Sequence, residues 1–177
     1  DTLANWVVQM HDSAGKGGSE EGWALFRGKG CTACHGPNAD GALAKMREQV
    51  GQVNDLARRI GTLNQQIVSS GGPNGSAADL QDQRDALVDQ LSSLVGVRVL
   101  TREDGSVGIA AGDTVLVDGA NVQTLAVQPL AGGGFGLSVV GGGAVDPKSG
   151  SLHALSVLTT TTLPAIQQRL DALAQAL

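Results

Sequence analysis

The stretch from Val53 to Val95 constrains the fold most, because it holds two helix-length apolar repeats separated by a turn. In the first arm, VNDLARRIGTLNQQI, residues Val53, Leu56, Ile60, Leu63 and Ile67 recur at alternating spacings of three and four. In the second, DLQDQRDALVDQLSSLV, Leu80, Leu87, Leu91 and Leu94 follow much the same rule. An α-helix turns once in about 3.6 residues, so this alternation lines one apolar seam along each helix. It is the pattern of a coiled coil or a bundle edge.

The first helix is predicted over about residues 42–69, favoured by its Gln, Arg and Leu content. Gly51 and Gly61 each weaken it by about 1 kcal/mol relative to Ala. Ser70-Gly71-Gly72-Pro73-Asn74-Gly75 ends it with several turn signals in succession. Ser76 and Asp79 have the spacing of a capping box, with Asp in place of Glu or Gln. The second helix is expected to run to about Val95, with Gly96 as its stop. Asp82, Arg84, Asp85 and Asp89 cluster on it. At spacings of three and four they read as a solvated or intrahelical charge face, not as a catalytic or metal-binding set.

Val97 to Thr101 is rich in β-branched residues and leads into Arg102-Glu103-Asp104-Gly105, a hairpin turn. Further strands are expected over 106–111, 114–117 and 122–127, separated by Gly112-Asp113 and Asp118-Gly119-Ala120-Asn121. This is a meander of about four short antiparallel strands. AGGGFGLSVVGGG holds seven glycines, and residues 129–143 read as flexible linkage flanking one strand at 137–140. No GxGxxG before a helix and no Walker lysine marks a phosphate cradle there. Ser149-Gly150-Ser151-Leu152 with Leu155 leads back to helix. His153 has no Cys, Asp or Glu at ligand spacing and reads as a surface or half-buried structural residue.

Leu163, Ile166, Leu170, Leu173 and Leu177 form a third seam, with Pro164 suited to the first turn. The fold class is therefore α+β: a three-helix coiled-coil-like bundle with an antiparallel β domain inserted between helices two and three. A short helical segment carrying a CxxCH motif precedes it. The divisions are 1–41 (CxxCH segment), 42–96 (antiparallel helical pair), 97–160 (β insert with its Gly-rich loop) and 161–177 (returning helix).

In the first segment Leu3, Trp6, Val7 and Met10 sit at helical spacing, SAGKGGS is a linker by composition, and a short helix with Trp23, Leu25 and Phe26 leads to Cys31-Thr32-Ala33-Cys34-His35. CxxCH is the attachment motif of c-type haem. Two thiols add to the two porphyrin vinyl groups, and the adjacent His is carried under the iron as proximal ligand. Cys31 and Cys34 are the only cysteines, so a four-ligand structural zinc has no second pair. No βαβ pattern suggests a thioredoxin-like pair; a chance or vestigial motif is the remaining alternative. A haem here needs a distal ligand. Met46 is the one Met after the motif, only eleven residues on and on a predicted helix. Met10, His11 and His153 are other conceivable ligands, each read first as a surface residue.

Several classes are excluded. The chain has 12 basic and 17 acidic residues, a net charge of −5 and no Lys/Arg run, so nucleic acid is not expected as a partner. Its apolar stretches break well before the ~18 positions a membrane span needs. Asp1 opens the chain with no leader pattern, as a mature form or a fragment equally would. Trp6, Trp23 and Phe26, three of the four aromatic residues, precede residue 30, so composition changes near residue 42. Beyond that point the core must come from Leu, Val, Ile and Ala.

VNDLARRIGTLNQQI, then GPNG, then DLQDQRDALVDQLSSLVGVRV resembles the flagellar hook-associated protein family of the hook–filament junction. That family carries Ile-x-x-Leu-Asn-x-x-Ile, a Gly/Asn turn and Asn-Asp-Leu-x-Asp-Gln-Arg-Asp; the last element here reads Ala78-Asp79-Leu80-Gln81-Asp82-Gln83-Arg84-Asp85. The EDGSV and LVDG turns and LPAIQQRLDALAQAL extend the likeness over about residues 45–177. The resemblance implies a non-enzymatic structural module of the extracellular flagellum, packing helix seams against neighbouring subunits. It also implies that this chain alone does not polymerise, since the family's terminal polymerising helices have no counterpart in it.

Residues 1–41 are similar instead to class I cytochrome c. Gly22, Leu25-Phe26, Cys31, Cys34, His35 and Gly36 fit that pattern, and LANWVVQM resembles the closing helix of an upstream domain. This likeness implies haem c held through Cys31 and Cys34, with His35 as proximal ligand; the family's distal Met comes from a loop some tens of residues later, so Met46, too near the motif, would be an improvised distal ligand. It further implies a redox-protein partner and a periplasmic location. The two families imply incompatible export routes, so the sequence reads as a composite of unrelated parts.

Overall fold

Twenty-nine residues without a proline, Gly41–Ser69, form the first helix, α1. The computed structural model describes residues 41–72, 77–131, 134–162 and 165. Two compact units divide the chain, and Met46–Ser156 is one of them. The other, Asp1–Lys45 with Val157–Leu177, contributes residues 41–45, 157–162 and 165 to the described set.

α1 buries Met46, Gln49, Val50, Val53, Leu56, Ala57, Ile60, Gly61, Asn64 and Ile67. At three turns two neighbours are buried (Gln49-Val50, Leu56-Ala57 and Ile60-Gly61), a stripe broader than the single seam read from the sequence. Leu63, assigned to that seam, is only half-buried, while the adjacent Asn64 is buried. The reason is that the face is not reserved for another helix. Its side chains share one apolar cluster with Leu87 and Leu91 of α2 (Ala78–Leu94) and with strand residues Val107, Ile109, Val117, Leu125 and Leu137. The expected coiled-coil pair is thus a pair of helices laid against β-structure. α2 has Ala77 at its N-cap with no side-chain capping bond, so Asp79 completes no capping box; Ser76 lies outside the described residues.

Seven strands follow: β1 (Val97–Thr101), β2 (Val107–Ala111), β3 (Thr114–Asp118), β4 (Asn121–Val122), β5 (Leu125–Pro129), β6 (Phe135–Val139) and β7 (Ala144–Val145). β1-β2-β3-β4 form one antiparallel sheet and β5-β6-β7 a second. The register Val97↔Ala111 to Thr101↔Val107 sets the first hairpin, and a bulge falls at Ile109/Ala110 between β2 and β3. The predicted strand over 122–127 is broken, because the chain changes sheet at Gln123-Thr124 between β4 and β5. The strand expected at 137–140 within the Gly-rich stretch is β6, which starts two residues earlier and pairs with β5, Leu125↔Val139 through Pro129↔Phe135, with β7 added at Leu137↔Val145. Here the pairing partners override the low strand propensity of glycine.

The third helix, α3 (Ser151–Val157), begins inside the segment expected to be β insert, and a π-helical turn continues it over Leu158–Thr162. The third seam, residues 163–177, lies outside the described residues apart from Ala165, and so does the bundle it was expected to close. The α+β class holds, as helices and antiparallel sheets in separate runs.

Candidate functional site: a helix clamped onto two sheets

The polar residues of α1's buried face mark where helix and sheets are fastened. Asn64 is 1% exposed. Its Nδ2 donates to the carbonyls of Val107 (2.9 Å) and Gly119 (2.7 Å), and its Oδ1 accepts from Val107 N–H at 3.1 Å. Both amide protons and the oxygen are therefore satisfied, which a buried amide requires. Asn54 repeats the arrangement at β5, donating to Leu125 O (2.9 Å) and accepting from Leu125 N–H (2.8 Å). Ten residues separate the two asparagines, about 15 Å along the axis at 1.5 Å per residue. One helix thus holds the start of a strand in each sheet.

Two further contacts lie on the same face. Gly61 lets the turn between β3 and β4 approach, since a Cβ there would lie 2.7 Å from Val122 Cγ2 and 3.2 Å from Ala120 O. The glycine read from sequence as a weak point is a contact point. Nearer the helix start, Ser151 Oγ donates to Gln49 Oε1 at 3.0 Å, tying α3 to α1.

α2 is fastened through Arg84. The sequence places this side chain on a solvated charge face, yet it is buried. Its Nη1 donates to Gly105 O at 2.8 Å in the β1–β2 turn, and Nε and Nη2 reach Asp85 Oδ1 at 3.0 Å. Asp82, Asp85 and Asp89 remain exposed, as expected of a charge face. Asp104 organises the same turn by accepting from Ser106 Oγ (2.7 Å) and Ser106 N–H (2.9 Å). These two bonds, then the Arg102 charge, lower the Asp104 pKa below the ordinary carboxylate value. Arg102 also pairs with Asp118 across the sheet. The end of α1 closes on this turn: Gly72 has φ +64°, and a Cβ there would lie 2.7 Å from Asp104 O. On the far side Lys148 pairs with Asp146, whose hydrogen bond and charge raise the lysine pKa.

Among the described residues no three His, Cys, Asp or Glu side chains are grouped to hold a metal, and no helix is long and apolar enough to cross a membrane. Cys31, Cys34 and His35 lie outside the described residues, as do Met10 and His11. Met46 is 0% exposed, within the apolar cluster. His153 is half-buried on α3. Neither Asn54 nor Asn64 belongs to a recognisable motif; the signal Asn64 gives is an amide in phase with an apolar stripe, at Ile60 plus four and Ile67 minus three.

Comparison with known proteins gives one family. A model of the flagellar hook-associated protein FlgK helical domain matches residues 39–177. Flagellar hook-associated protein 1 of Salmonella typhimurium is 39% identical over 83 residues, 45% of this chain and 15% of that protein. The Escherichia coli K12 protein of the same name gives the same identity and coverage. The chain therefore spans about 15% of the length of these curated relatives. The solved structure of the flagellar hook junction protein FlgK from Burkholderia pseudomallei shares the fold at a TM-score of 0.56 and 21% identity, over 88% of this chain and 32% of that one. The matched span begins after the CTACH motif.

Proposed function

The chain belongs to the family of the flagellar hook-associated protein FlgK helical domain, and from that membership we propose that it is a structural assembly module and not an enzyme. Its partners are neighbouring flagellar-type subunits, and its place is the extracellular flagellum. The observation that carries the reading is the double asparagine clamp of Asn54 and Asn64. A helix hydrogen-bonded to both sheets is a rigid spacer, and a junction needs its subunit surfaces held at fixed separation under load. Side-chain bonds to strand backbone supply that rigidity, because slippage by one turn would leave the buried Asn64 and the backbone groups it meets without partners.

The test is an exchange. Residues 39–177 replace the matching region of the Salmonella typhimurium protein in cells lacking it, and attached filaments and swimming are scored. Filament-bearing, motile cells are the expected result. A folded, exported hybrid that leaves cells without filaments overturns the reading.

A second reading concerns residues 1–38 alone. Cys31, Cys34 and His35 precede the matched span, so a structural role leaves their chemistry unused. Covalent haem c on both thiols, with His35 as proximal ligand, is the chemistry the motif suits. For the distal ligand this reading has Met46, the one Met after the motif. An absorption spectrum of the chain produced with cytochrome maturation machinery decides it. A sharp reduced α-band lost in the Cys31→Ala, Cys34→Ala double variant supports haem, and a colourless folded protein overturns it.

A further inference from the structure

The two sheets have four edge strands, and three of them are blunted. β4 and β7 are two residues long. β5 ends at Pro129, and its first residue, Leu125, has both backbone groups bonded to Asn54. Short strands, proline and covering contacts are the usual protection against edge pairing. Among the described residues β1 has none of these. It is five residues long and carries exposed apolar side chains on both faces, Val99 at 42% and Leu100 at 47%.

The backbone of β1 is oriented to use that edge. Arg102 N–H donates to Ser106 O, so in the register Thr101↔Val107 the even-numbered residues of β1 face β2. Val97, Val99 and Thr101 then direct N–H and C=O outward, by the alternation of an antiparallel ladder. We propose that this edge pairs antiparallel with the same edge of a second copy of the chain, an inference that takes from the assembly reading only that copies meet one another.

Charge selects the register. A two-fold axis at Arg98 sets arginine against arginine, and one at Leu100 sets Arg98 against the Arg102 of the second copy. An axis at Val99 sets Arg98 against Leu100, Val97 against Thr101 and Val99 against itself. All three outward-facing residues then find partners, and the cross-strand pairs among Val97, Val99 and Thr101 are all β-branched, a favourable combination. Arg98 makes no ion pair among the described residues, so no existing bond is broken when its stem lies over Leu100. The contact is isologous and closes as a dimer.

Sedimentation velocity of the full chain over a range of concentrations tests this, together with Val99→Pro, Val99→Lys and a control, Val140→Lys, at an exposed site on the other sheet. Proline at 99 removes an outward N–H and no bond to β2. The wild type and the control are expected to dimerise, with both Val99 variants at least tenfold weaker and their circular dichroism unchanged. Amide exchange should show Val97, Val99 and Thr101 gaining protection with concentration. A monomeric wild type, or a dimer undiminished in a folded Val99 variant, overturns the proposal. The two readings separate cleanly: a monomeric chain whose exchange still supports filaments loses only the edge, and an edge dimer whose exchange fails loses only the flagellar role.

Discussion

Asn64 and Val107, 43 residues apart, exchange two hydrogen bonds: the side-chain amide of one acts as a strand partner to the backbone of the other. A third bond carries the same side chain to Gly119 O. Asn64→Ala leaves an N–H and two carbonyls without their partner in a buried place. A loss of about 2–3 kcal/mol is expected, since unsatisfied buried groups cost about 1–3 kcal/mol. Asn54→Ala, at a half-buried site with two bonds, should lose about 1 kcal/mol. Urea unfolding with unchanged m-values checks both, and equal losses would argue that the two clamps are not ranked by burial.

The two glycines inside α1 should respond in opposite directions. At Gly51 an added Cβ meets nothing within 4 Å, so Gly51→Ala gains helix propensity, about 1 kcal/mol. At Gly61 the same methyl would lie 2.7 Å from Val122 Cγ2 and 3.2 Å from Ala120 O. Gly61→Ala must displace the β3–β4 turn and strains the Asn64–Gly119 bond beside it; overpacking of this kind costs about 1–3 kcal/mol. Thermal midpoints of the two variants give the comparison, and a stabilised Gly61→Ala sinks it.

These contrasts show which parts of the fold the sequence carries openly. α1 and α2 follow from the apolar period and from the turn glycines, and β1–β3 from β-branched runs between Asp-Gly and Gly-Asp turns. In the second sheet strands near 122–127 and 137–140 are legible but their pairing is not, because β6 is flanked by glycines and takes its stability from Leu125 and Val127, which pair with Val139 and Leu137. No local propensity reports a partner that far along the chain. The clamp was hidden for a related reason: an asparagine in an apolar stripe looks like a flaw until the carbonyls it meets are known. Arg84 was misplaced because charges at helical spacing are usually solvated, and only the position of Gly105 explains its burial. The CxxCH motif carries its chemistry in five consecutive residues, and nothing in the helix–sheet unit bears on it.

Arg84 and its neighbour Asp85 should separate when substituted singly. Arg84→Met keeps an apolar stem but loses the bond to Gly105 O, whose partner is buried. A loss of about 1–2 kcal/mol is expected. Asp85 is exposed, and a surface ion pair contributes little, so Asp85→Ala should stay within about 0.5 kcal/mol. Arg84→Lys should fall between, because an ammonium cannot reproduce the forked geometry. Denaturant midpoints of the three variants give the ranking; an Asp85 effect as large as that of Arg84 would show the ion pair, not the carbonyl bond, to be the fastening.

Acid should loosen the β1–β2 turn through Asp104. Its folded-state pKa is depressed, first by the Ser106 hydroxyl and N–H and then by Arg102. A carboxyl with a depressed folded pKa contributes stability fully above its unfolded value, about 3.9, and loses it as pH falls through the lower folded value. The wild type should therefore lose part of its thermal stability below about pH 4 through this group. Asp104→Asn keeps an oxygen acceptor for Ser106 but cannot titrate. The variant should begin less stable at neutral pH and approach the wild type in acid, so that the two melting curves converge. Parallel pH dependences would remove Asp104 from the account of this turn, and the other carboxylates are shared by both proteins, so the difference isolates it.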